Sequence, residues 1–106
     1  METTLNTEQL SRENLGTVVV HGLRYSERRD LLDASQGDDT AFMLGLLAIS
    51  VRNEAGEPVA TGEQWDCFAG MHMSEALDAF ELACKLNGFR IASVEGDDEE
   101  GTDAGN

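Results

Sequence analysis

Hydrophobic residues fall into four stretches that are separated by polar or glycine-containing segments. The first runs from Leu15 to Leu23 and has three consecutive valines between two glycines, which favours a β-strand because β-branched side chains suit extended backbone. Ser26 then provides an N-cap oxygen for an amphipathic helix that ends at Gly37. Arg28 on this helix is expected to be solvated.

The second stretch, Ala41 to Ile49, is the most apolar in the chain. Asp38, Asp39 and Thr40 give a capping signal before it. Its apolar positions go nearly all the way round a helix, which predicts a helix covered on several sides. A buried strand is the alternative. A turn at Gly56 and Pro58 follows, after which the chain is predicted to return as a short strand and close a small hairpin.

The last two stretches predict two further helices. Trp65 and Phe68 lie three residues apart, on one helical face of the third stretch. Ser74 is predicted to cap the clearest helix, Glu75 to Asn87, whose apolar residues recur every three or four positions. Gly88 follows as the residue expected just beyond a helix C-terminus.

These elements predict one α+β domain that is mainly helical. A short N-terminal strand, with a possible small hairpin, packs with three to four helices over residues 15–94. Residues 1–14 are mostly polar and predict a flexible N-terminal arm. Residues 95–106 contain six acidic residues and no basic one, which predicts a disordered acidic tail.

Charge narrows the range of functions. The chain has 7 Lys and Arg residues against 21 Asp and Glu residues, a formal net charge of −14. Nucleic-acid binders need clustered positive charge, as do proteins that dock on anionic membranes, so neither partner is expected. No apolar run reaches the length of about 20 residues that a membrane span needs.

The sequence contains no motif that predicts chemistry. Two cysteines and two histidines lack the spacing of a zinc site or a nucleophile–base pair, and the glycines do not form a phosphate-binding loop. The acidic run after Glu95 does not have the spacing of a calcium loop. We therefore expect no catalytic, cofactor or metal site, and no enzymatic activity.

One cluster has two possible roles. Trp65, Phe68, Met71 and Met73 lie close together in the sequence, and tryptophan and methionine are both enriched at binding surfaces. The cluster either closes the core beneath the last helix or forms a partly exposed surface that binds a partner. Self-association is also expected, because a domain of this size is marginally stable alone.

The segment VVVHGLRYSERRDLL fits a V-x-V-x-G-L-(S/T)-x-x-E-R pattern, with Ser26 and Glu27 one or two residues out of register. In this it resembles the small tail assembly chaperones of long-tailed bacteriophages, and two further segments resemble the same family. The run LLAISVRNEAGEPVATGEQWDCF is similar to an apolar segment, a D-x-x-G-x-P turn and a short helix, with Asn53 in place of the usual Asp. The run AFELACKLNGF is similar to a closing helix that ends in Leu-Asn-Gly. The matching residues are Val18, Val20, Gly22, Leu23, Ser26, Glu27, Arg28, Asn53, Gly56, Pro58, Trp65, Leu86, Asn87 and Gly88.

The resemblance implies a non-catalytic morphogenetic protein. Such chaperones coat the tape-measure protein and keep it soluble in the host bacterial cytoplasm, and they are absent from the mature virion. A longer form made by programmed frameshift recruits tail-tube protein. The net charge also suggests an alternative from another class, an acidic DNA-mimic inhibitor of a nucleic-acid-binding protein.

Overall fold

A computed structural model describes residue 1 and residues 4–89 of the chain. Over these residues the fold is α+β and mainly helical, with strands near the N-terminus packed against helices, as predicted. The elements in chain order are β1 (Thr7–Arg12), β2 (Gly16–His21), α1 (Tyr25–Ser35), α2 (Asp39–Ser50), β3 (Val51–Arg52), α3 (Gly62–Met71) and α4 (Met73–Asn87). The predicted acidic tail at 95–106 lies outside the described residues.

The sheet is antiparallel, with strand order β1-β2-β3. β1 pairs with β2 over its whole length, and Leu10 lies opposite Val18 in that register. The prediction of a flexible arm is therefore wrong for Thr7–Arg12. Local sequence favours no strand here, but pairing with β2 and burial of Leu10 to 8% exposure stabilise one.

The predicted hairpin after Gly56 is reduced to a single bridge. β3 pairs with β2 through Val51 and Arg52, and the returning chain pairs with β3 through one bridge, between Arg52 and Pro58. At this bridge the Val59 N–H donates to the Val51 carbonyl at 3.3 Å, and the Asn53 N–H donates to the Glu57 carbonyl at 2.9 Å. No further strand pairing follows in the part of the chain described.

Two of the predicted helix starts are two residues late. α1 begins at Tyr25 rather than after a Ser26 cap, because the Glu27 carboxylate accepts a hydrogen bond from the Arg24 N–H at 2.8 Å. Ser74 lies inside the first turn of α4, which begins at Met73. The capping signal before α2 is confirmed, and of its three residues Asp38 is the N-cap, since its carboxylate accepts from the Ala41 N–H at 3.0 Å.

The apolar helix α2 lies at the centre of the core and contacts α1, α3, α4 and β3. Its Leu46 and Leu47 are fully buried, which confirms the prediction of a helix covered on several sides. Gly45 lets α1 approach closely: a Cβ at this position would lie 2.6 Å from Cδ1 of Leu31. The buried hydrophobic residues are Leu10, Val18, Val20, Leu23, Leu31, Leu46, Leu47, Val51, Trp65, Ala76, Ala79, Ala83 and Cys84.

The C-terminal end of α4 is fixed to the connection between β2 and α1 by a buried asparagine. Oδ1 of Asn87 accepts a hydrogen bond from the Leu23 N–H at 2.6 Å, and Nδ2 donates to the Ala83 carbonyl at 2.8 Å. Asn87 is 8% exposed, so both bonds are protected from water. Residues about 60 positions apart in sequence are thereby held together.

The chain reverses after α4 in a left-handed cap. Gly88 has a φ of 74°, and the Phe89 N–H donates to the Cys84 carbonyl at 2.9 Å. Arg28 is not simply solvated as predicted: it donates to the Asn87 carbonyl at 2.8 Å, and its guanidinium lies 4.5 Å from the centre of the Phe89 ring. The cap is therefore joined to α1 as well.

No helix within residues 4–89 combines the length and the apolar character needed to cross a lipid bilayer.

Replacing Asn87 by alanine removes both side-chain bonds and leaves the buried Leu23 N–H without an acceptor. We expect the free energy of unfolding in urea to fall by about 2–3 kcal/mol. The control is Asn6→Ala, because Asn6 is exposed and its contact with Gly22 uses only its backbone carbonyl. Its effect should stay within about 0.5 kcal/mol. Equal losses in the two variants would show that Asn87 has no special role.

Candidate functional site

The four residues of the predicted partner surface separate into a buried pair and an exposed pair. Trp65 is 1% exposed, and Phe68 is half-buried against the core. Met71 and Met73 are 72% and 63% exposed, and they flank the corner between α3 and α4. One half of the cluster thus closes the core, and the other half is exposed at the surface.

Contacts between neighbouring rings connect the two halves of the cluster. The Trp65 and Phe68 rings meet edge to face at 5.5 Å between centroids, and the Phe68 ring lies 5.1 Å from that of His72. His72 is the residue between the two exposed methionines. The corner formed by Met71, His72 and Met73, which we call the methionine corner, is therefore linked to Trp65 and Phe68 through the His72 ring.

An open groove of about 280 Å³ lies beside these rings. That volume is near the lower limit of about 300–1,000 Å³ seen for small-molecule sites, so it fits an apolar side chain of a partner better than a cofactor. Among buried side-chain N and O atoms of the described residues, Nε1 of Trp65 has no hydrogen-bond partner. The groove is lined by Asn14, Leu15, Val59, Ala60, Gln64, Trp65 and Phe68.

Glu75 of α4 holds one wall of this groove in place. Its carboxylate accepts hydrogen bonds from the Leu15 N–H at 2.8 Å, the Asn14 N–H at 3.0 Å and the Asn14 side-chain amide at 2.9 Å. Partial burial alone would raise the pKa of Glu75, but these bonds favour the ionised form and lower its pKa below the ordinary value of 4.5. The turn between β1 and β2 is thereby attached to the start of α4.

Sequence analysis missed the wall residues Asn14, Leu15, Val59 and Ala60. Asn14 and Leu15 lie in the turn between β1 and β2, and Val59 and Ala60 precede α3, so only tertiary folding brings them together. A signal was available for one contact only: Glu75 lies at the start of a helix, where a carboxylate is free to accept backbone N–H groups.

The cysteines and histidines form no reactive pair that the structure shows. Burial, followed by the nearby charge of Glu81, raises the pKa of Cys84 to about 11, so its thiol stays protonated at neutral pH. Burial and the neighbouring Arg52 lower the pKa of His21. Within residues 4–89 no three His, Cys, Asp or Glu side chains are grouped so as to hold a metal ion.

Comparisons of the chain with protein-family models, with curated proteins and with solved structures found no match. The groove and the methionine corner are therefore the features on which a function has to be argued.

The Glu75 contacts predict a pH-dependent stability. The pKa of Glu75 is lower in the folded than in the unfolded chain, so its contribution is complete above about 4.5 and is lost as the pH falls through the folded value. Glu75→Gln should therefore destabilise the protein more at about pH 7 than at about pH 3. The measurement is urea unfolding at both pH values.

Glu81→Gln is the matched control, because it removes one carboxylate from an exposed position of the same helix. A destabilisation by Glu75→Gln that is the same at both pH values would contradict the assigned role of the Glu75 carboxylate.

Proposed function

We propose that this protein is a bacteriophage tail assembly chaperone that binds the tape-measure protein and keeps it soluble in the host cytoplasm. The observation that supports this best is an apolar groove beside two exposed methionines on a strongly acidic domain. A helical client with an apolar stripe would place side chains in the groove, and the surrounding charge would keep the complex in solution.

The methionines suit such a client. Methionine side chains are flexible and polarisable, so one surface can accept different apolar side chains along a long helix. Met71 and Met73 are exposed although exposed positions are usually polar, and they lie next to the ring of His72 that packs on Phe68. We assign the methionine corner and the groove to client binding.

The motifs that resemble the tail chaperones have a structural role in this chain. Gly22 and Leu23 belong to the first motif, Asn87 and Gly88 to the last, and the Leu23–Asn87 hydrogen bond joins them directly. The resemblance therefore supports the proposal through the architecture, while the groove supports it through the surface. Recruitment of tail-tube protein by a longer frameshifted form, and absence from the virion, are part of the same proposal.

The test is co-expression of the chain with helical fragments of the tape-measure protein, followed by sizing of the soluble complex. The double variant Met71→Ser, Met73→Ser should weaken the complex about tenfold or more, because each buried methionine contributes about 1.5–3 kcal/mol. Leu32→Ser is the control, since Leu32 is 52% exposed but lies on α1.

A wild-type chain that leaves the fragments insoluble and forms no complex would refute the proposal. If the fragments bind and the double variant binds equally well, the chaperone role survives but the methionine corner is the wrong surface.

The DNA-mimic alternative predicts a different dependence on charge. Changing the six acidic residues after position 94 to amides leaves residues 4–89 untouched. Mimicry depends on carboxylates in place of phosphates, so inhibition of a nuclease or other DNA-binding protein should be lost. Client solubilisation by the groove should persist. Loss of client binding in this variant would instead show that the acidic residues contact the client.

A further inference from the structure

β1 is the outer strand of the sheet, and none of the described residues pairs with its far side. The register with β2 is regular along all six residues of β1. Open strand edges pair readily with other strands unless the sequence prevents it. We propose that β1 pairs antiparallel with β1 of a second copy of this chain, about a two-fold axis at Leu10.

The hydrogen-bonding phase of β1 determines which registers are available. At the end of the ladder the Gly22 N–H donates to the Asn6 carbonyl at 2.7 Å, and hydrogen-bonded pairs alternate along an antiparallel ladder. The backbone groups of Glu8, Leu10 and Arg12 therefore face β2. Those of Gln9 and Ser11 face outward, where a second copy can reach them.

Pairing Gln9 of one copy with Ser11 of the other uses these outward groups. It also places Leu10 opposite Leu10, and Glu8 opposite Arg12 in both directions. These are non-hydrogen-bonded pairs, in which opposite side chains approach most closely. Glu8, Leu10 and Arg12 thus give β1 an acidic, an apolar and a basic residue at alternate positions. Two antiparallel copies of this strand place opposite charges against each other.

Competing registers lack this match. A shift by two residues keeps the hydrogen-bonding phase but places either Glu8 or Arg12 opposite Leu10 of the other copy. A parallel arrangement in register places equal charges opposite each other. Charged side chains on an edge strand usually prevent pairing, but here they penalise every arrangement considered except one.

The face of β1 that has these three residues is also the face beside α4. An open groove of about 270 Å³ lies between them, and its lining includes Leu10 and Leu82. Arg12 forms an ion pair with Asp78 of α4 at 2.8 Å, and its Nη1 donates to the Ser11 carbonyl. In the dimer the Gln9 N–H of the second copy takes over that carbonyl, which frees Nη1 for the second copy's Glu8.

The test exploits the symmetry of the charge pairs. In a homodimer of the Glu8→Arg variant, the new arginine of each copy lies opposite Arg12 of the other copy. In a homodimer of the Arg12→Glu variant, the new glutamate of each copy lies opposite Glu8 of the other copy. Each variant alone should dimerise about tenfold or more weakly than the wild type. An equimolar mixture should form a heterodimer, because both cross-pairs again join opposite charges.

Dimerisation of the full chain is measured by sedimentation at protein concentrations of roughly 1 μM to 1 mM. Physiological salt is used because its Debye length of about 8 Å screens the repulsion between the net charges of the two copies. Native mass spectrometry identifies the heterodimer in the mixture. Glu54→Arg is the control, because it makes the same change in charge at an exposed turn away from β1, and it should dimerise like the wild type.

A wild type that stays monomeric over this range overturns the proposal, and so does a dimer that tolerates both variants. Failure of the mixture to form a heterodimer overturns the register. Client binding does not enter this measurement, so its outcome is independent of the chaperone proposal.

Discussion

The fold depends on one buried hydrogen bond, from the Leu23 N–H to Oδ1 of Asn87. It joins the exit of β2 to the last turn of α4, and so connects the sheet to the helical layer across about 60 residues of sequence. The Asn87 side chain has to stay at one position and orientation to accept from Leu23 while donating to Ala83. The Gly88 reversal and Arg28 then close the chain around the same residue. Because a buried N–H without an acceptor is costly, these contacts are expected to form and break together.

Glu75 provides the corresponding connection at the other end of α4. It holds the turn between β1 and β2, so α4 is attached to the sheet through both of its ends. The two connections differ in physical character. Asn87 is neutral and buried and does not respond to pH, whereas Glu75 acts through its ionised form. The N-terminal end of α4 therefore holds the wall of the apolar groove through Glu75, and this connection depends on pH. The C-terminal end is joined to the core through Asn87, and this connection does not.

The parts predicted from sequence are those in which local signals agree with tertiary structure. Three valines, the Asp38 cap and the Gly88 reversal each specify a local conformation, and the structure has each of them. β1 could not be predicted, because TEQLSR has one apolar side chain and becomes a strand only by pairing with β2. The contact of Arg28 could not be predicted either, because its acceptor, the Asn87 carbonyl, lies 59 residues away in sequence. The spacing of Trp65, Phe68, Met71 and Met73 predicts that they lie close together, but periodicity alone does not show which of them are covered.

The two surfaces proposed to bind partners have no residue in common. The groove beside Trp65 and the groove beside β1 share none of their lining residues. Their chemistry differs as well. The first is apolar and is proposed to accept hydrophobic side chains, whereas β1 is polar, and the order of its charges is proposed to select one register. A chain that dimerises through β1 would therefore keep its apolar groove free. A dimer would offer two equivalent grooves to a long helical client, and binding at the second would gain from the proximity set by the first.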